Sequence, residues 1–192
     1  MQQKKEKRRW GLIIFLVFIM IGTSFSFILF GFSPQSETAK YNDIKFVRNP
    51  SQNIWIAKIS GREAAFSFLP HEVESILLDH PESLQGKFEI DFTYDLNSSR
   101  KESIALAQHQ MGLSLASYNI YLRKGFTYNN TFNLPVITCK DSSANVPVVY
   151  FRHGNLTKIR SEDGCIIAEA QANADFIRLK DRILYGILGI IK

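Results

Sequence analysis

KFEIDFTY, residues 87–94, is the stretch from which the fold is read. Phe88, Ile90, Phe92 and Tyr94 alternate with Lys87, Glu89, Asp91 and Thr93, the period of a strand with one buried face. Just beyond it, Ser99 followed by Glu102 has the spacing of a helix capping box. Ile104, Ala107, Met111, Leu115 and Tyr118 then recur along one helical stripe. Strand, cap and helix in succession predict an α/β (or α+β) domain: a mixed β-sheet with a central helix and a C-terminal helix.

Working outward, Ile54–Ile59 and Glu63–Phe68 flank Ser60-Gly61-Arg62 and read as a hairpin. Pro70 opens a short helix of two turns that stops before Pro81. On the other side, extended character returns over residues 118–122 and at Phe126. Three strands follow at Pro135–Cys139, Val146–Phe151 and Cys165–Ala170, with a short one over Leu156–Arg160. Turn compositions separate them. A final helix from about Asp175 to Ile191 carries Phe176, Leu179, Ile183, Ile187 and Ile190 on one side. Its Arg178–Arg182 segment reads as a wet edge, and its apolar tail as part of the core in preference to a tail that dips into the bilayer or packs on a partner.

The N-terminus has a different character. Residues 11–32, GLIIFLVFIMIGTSFSFILFGF, hold no charge and follow a basic stretch, LysLysGluLysArgArg, at 4–9. Enough residues for a membrane span, a basic flank and no Ala-x-Ala cleavage site predict an uncleaved transmembrane signal anchor. The expected layout is a cytoplasmic tail (1–10), the anchor in the lipid bilayer (11–32), a linker (33–42) and an extracytoplasmic domain (43–192). That layout is a single-pass cell-membrane protein.

The chain carries 23 basic and 18 acidic residues. Residues 1–10 hold five basic and one acidic of these, leaving 18 against 17, or +1, for the rest. The positive excess belongs to the N-terminal flank, so no nucleic-acid partner is expected.

The two cysteines, Cys139 and Cys165, fall at the end of one predicted strand and the start of another. Three readings stay open: a structural disulfide, two buried thiols, or a redox pair. Redox pairs are usually closer in sequence, which favours the staple. Asn97, Asn129 and Asn155 head Asn-x-Ser/Thr sequons and are candidate glycosylation sites under the expected topology.

Other candidate chemistry is weaker. His71, Glu72, Glu74, Asp79 and His80 are metal-ligand types without a four-ligand spacing, and read as a solvated surface. Gly112-Leu113-Ser114-Leu115-Ala116 lacks the last glycine of a nucleophile elbow, and His153 sits in a turn composition. No catalytic, cofactor-binding or metal residues are assigned, and no cofactor is expected.

Residues 134–139 (LPVITC), 146–151 (VPVVYF), 164–167 (GCII) and 181–189 (DRILYGILG), with the N-terminal run, resemble a group of uncharacterised archaeal membrane-anchored proteins. The resemblance implies an archaeal cell-surface domain with paired cysteines, and no particular activity. The Val-Pro strand, His153-Gly154-Asn155 and the strand after it are also similar to the back half of a thioredoxin-like domain. Here Asp95-Leu96-Asn97-Ser98 stands where that family carries Cys-x-x-Cys, so the resemblance implies the fold without its redox motif. The function expected from the sequence is a non-catalytic binding, scaffolding or assembly role at the cell envelope, with an envelope protein partner or a homo-oligomer. The alternatives are a thioredoxin-like envelope thiol-disulfide oxidoreductase or isomerase, and a pilin-like surface subunit.

Overall fold

A computed structural model describes residues 3–30 and 37–191, with side chains described for 10–23 and 37–191. The chain divides into two compact units, residues 1–36 and 37–192.

The first unit is α1, Gln3–Phe30. Among the described residues no helix is long and apolar enough to cross a membrane. This overturns the transmembrane anchor expected at 11–32, of which residues 31 and 32 lie outside the described residues. The single-pass placement, with the N-terminus cytoplasmic and the domain outside, falls with it. Thr23 bonds back to the Ile19 carbonyl at 2.9 Å, which keeps its hydroxyl satisfied within the helix.

The second unit is α+β, with two sheets rather than a single mixed one. The first is an antiparallel meander of β1 (Thr38–Tyr41), β2 (Ile44–Asn49), β3 (Ile54–Ile59) and β4 (Arg62–Phe66), in that order. Thr38–Tyr41 falls in the stretch whose polar composition reads as a linker. The β3–β4 connection is tighter than expected: Ser60 and Gly61 both take positive φ, 51° and 82°. Trp55, Ala57 and Ile59 point to one face of this sheet and are buried.

A short helix, α2 (Pro70–Val73), leads towards the second sheet. It is one turn where two were expected. The sheet comprises β5 (Glu89–Tyr94), β6 (Tyr121–Phe126), β7 (Val148–His153), β8 (Lys158–Glu162) and β9 (Cys165–Ala170). Their order is β6-β5-β7-β9-β8, with all pairs parallel except β8 against β9. β5 alternates as its sequence predicts, yet both faces are buried: Ile90, Phe92 and Tyr94 on one, Asp91 and Thr93 on the other. The second face is covered by the segment 127–147. The Pro135–Cys139 run therefore lies over the sheet, making a single bridge between Val136 and Phe126 instead of a strand.

Between β5 and β6 runs α3 (Lys101–Ala116), and the chain closes with α4 (Asp175–Ile187). The capping box expected at Ser99 does not form. Asp95 accepts from the Asn97 amide and Ser98 from the Arg100 amide, so turns occupy 95–100 and the helix starts later. α4 ends on Gly189 at φ 70°. The Gly189 amide bonds the Gly186 carbonyl and the Ile190 amide bonds that of Tyr185, a Schellman closure.

α3 and α4 pack against each other, with α3 also against β5 and β6 and α4 against β9. Tyr185 of α4 stacks on Phe66 at 4.3 Å and meets Phe46 edge-on, which joins the meander to the same core. Ile104, Ala107, Met111 and Leu115 are wholly buried, as is the Phe176, Leu179 and Ile183 stripe.

Candidate functional site

The structure brings together one pair of the residues singled out in the sequence. The Cys139 and Cys165 sulfurs are within disulfide distance, with Cα atoms 5.0 Å apart. Cys139 opens a 3-10 turn within the 127–147 cover and Cys165 opens β9, so the link is loop to strand. Ile137, Val148 and Ile167 pack around them. Thr93 supports the same cover by donating to the Ile137 carbonyl at 2.8 Å.

The remaining candidates stay apart. Asn97, Asn129 and Asn155 are each exposed in a loop. Glu74 accepts from the Tyr41 hydroxyl, Glu72 from the Leu69 amide, and His80 meets Glu82. Among the described residues no three His, Cys, Asp or Glu side chains stand together as a metal set. Ser114 donates to the Ala65 carbonyl, while His153 is exposed at the end of β7 in the other sheet.

Two ion-pair clusters sit on the covered side of the second sheet. Arg123 grips buried Asp91 with two hydrogen bonds, of 2.8 and 2.5 Å. Glu169 is met by Arg152, Lys158 and Arg160. Burial pulls the Glu169 carboxyl upward, but hydrogen bonds and charge from Arg152 and Lys158 outweigh it and leave the group below the usual carboxylate range. In both clusters the carboxylates are answered by cations of the same sheet.

A different arrangement surrounds the free edge of β4. An open strand edge presents unpaired carbonyls and amides to water or to another strand. Here α3 and α4 close it. Ser114 donates to the Ala65 carbonyl, Ser117 to that of Glu63 and Tyr118 to that of Arg62. Further along, Asp181 accepts from the Ser67 and Phe68 amides at 2.8 and 2.9 Å, and Tyr185 donates to the Phe68 carbonyl at 2.6 Å.

Lys180 lies 2.5 Å from the Asp181 carboxylate. Lys180, Asp181 and Arg182 are 2%, 0% and 2% exposed, so the segment read as a wet edge is interior. Burial raises the Asp181 carboxyl, and Lys180 with the two amides only partly offsets that rise. The sequence did hold a signal for Lys180: it stands four residues after Phe176 and three before Ile183, on the buried stripe by spacing.

Lys180 also lines a cleft of about 520 Å³ between the β3–β4 hairpin and α3. Ile54, Ile56 and Leu113 supply apolar wall, and Gln110 and Ser114 add polar groups. The Gln110 side-chain oxygen is buried without a hydrogen-bond partner among the described residues. An apolar cleft with a few convergent polar groups has the composition of a small-molecule site. No known protein family, no characterised protein and no solved structure matches the chain.

Proposed function

We propose that residues 37–192 form a non-catalytic binding domain whose ligand enters the cleft between the β3–β4 hairpin and α3. One observation supports this reading above the others: a nearly inaccessible ammonium, Lys180, lines an apolar cleft. Burying such a charge is costly, and the Asp181 partner fixes its position rather than removing it. The test is a methyl NMR titration of the full chain with 1-octanol, an uncharged amphiphile. Methyl resonances of Ile54, Ile56 and Leu113 move saturably if the cleft binds, and resonances that stay still both with octanol and with its carboxylate counterpart, octanoate, refute the site.

Within this reading Cys139 and Cys165 form a structural disulfide that ties the 127–147 cover to β9. Cys165 is 1% exposed, which opposes the repeated thiolate attack a redox enzyme requires.

A further inference from the structure

We propose that the cleft takes a small amphipathic monocarboxylate, with its carboxylate on Lys180 and its apolar body along Ile54, Ile56 and Leu113. This rests on the reading of the cleft as a ligand site.

The charge of the ligand follows from the groups around Lys180. An ammonium has three N–H donors. Asp181 faces one side of it as an ion pair, which leaves donors for a further acceptor. Asp181 is itself committed to the Ser67 and Phe68 amides, so it is a fixed neighbour of whatever binds. A second acceptor on Lys180 would complete its donors in a dry site, where a charge-assisted bond is strong. The same neighbour limits that acceptor to a single negative charge, because a phosphate dianion would be repelled by the Asp181 carboxylate. Glu63 also lines the cleft and disfavours a second carboxylate on the ligand.

The Gln110 amide supplies a further polar contact. Its oxygen is buried without a partner, and a half-turn of the carboxamide presents the NH₂ group there instead. Lys180 and Gln110 together then offer two donors to two carboxylate oxygens. A cleft of about 520 Å³ is within the usual range for small-molecule sites.

The test compares octanoate with 1-octanol by calorimetry on the full chain, with the methyl resonances of Ile54, Ile56 and Leu113 locating the binding. Octanoate is expected to bind at least tenfold tighter than octanol. Lys180→Met should bring octanoate down to the octanol level, and Leu113→Asp should weaken both. The octanoate-to-octanol ratio is measured on the unaltered chain, so the outcome does not depend on the Lys180→Met variant folding. Equal affinities, with both ligands moving the cleft methyls, overturn the carboxylate proposal and leave the cleft as a site. No movement of those methyls with either ligand overturns both.

Discussion

Reducing the Cys139–Cys165 link should destabilise the domain by an amount that follows from its place in the chain. The two residues are 26 apart in sequence, and on the loop-closure model a cross-link of that span stabilises by about 3.5 kcal/mol. The folded state loses little in return. Ile137, Val148 and Ile167 still enclose the sulfurs, and the Thr93 bond to the Ile137 carbonyl still holds the cover down. Most of the loss therefore lies in the unfolded chain, which gains freedom. For a domain of this size the shift in Tm is about 7–14 °C. Urea unfolding followed by tryptophan fluorescence is a suitable assay, since Trp55 is 7% exposed and reports on the meander, far in sequence from the link. Adding a reductant should lower the midpoint and steepen the transition slope, because the freed unfolded chain exposes more surface. An unchanged midpoint, with mass-tagging showing both thiols free, would refute the reasoning.

Glycine substitutions test the packing of the same cover. A Cβ on Gly125 would sit 2.6 Å from Ile137 side-chain atoms and 2.7 Å from the Pro135 carbonyl, so Gly125→Ala should cost about 1–3 kcal/mol by chemical denaturation. Gly112→Ala in α3 is the contrast: the nearest neighbour, Leu122 of β6, is 3.9 Å away, and removing a helical glycine should stabilise by about 0.5–1 kcal/mol. The Glu169 cluster sets an acid limit. Its folded carboxyl lies below the ordinary value of 4.5, so its contribution is full above that pH and lost as pH falls through the lowered folded value. Glu169→Gln should flatten that acid limb of a stability-against-pH curve, and an unaltered limb would refute the assignment.

Local periodicity carried much of the fold into the sequence. The alternation of residues 88–94 and the α3 stripe depend on repeats of two and 3.6 residues, which neighbours in sequence already fix. Features made by distant chain were hidden. Asp91 and Thr93 read as solvent-facing because nothing near them announces that residues 127–147 will cross that face. Pro135–Cys139 has a strand's composition but serves as cover, and β1 is too short and polar to alternate visibly. At the N-terminus an uncharged run set the membrane reading, whereas among the described residues no helix is long and apolar enough to cross a membrane. The candidate cleft was legible in fragments only. Lys180 lies on a stripe the spacing exposes, but its charge argued for solvent, and the residues that line the cleft beside it come largely from β3, β4 and α3.

The closure of the β4 edge also bears on how the chain is made. The meander can form from consecutive residues early in synthesis, but its seal arrives late. Ser114 lies 49 residues beyond the carbonyl it meets, and Asp181 lies 114 beyond the Ser67 amide. At about 5–20 residues per second, a ribosome takes roughly 6–23 s to travel from Ser67 to Asp181. Through that interval the nascent meander presents an unprotected strand to any neighbouring chain, so crowded polysomes and slow translation between β4 and α4 are where misassembly of this protein would begin.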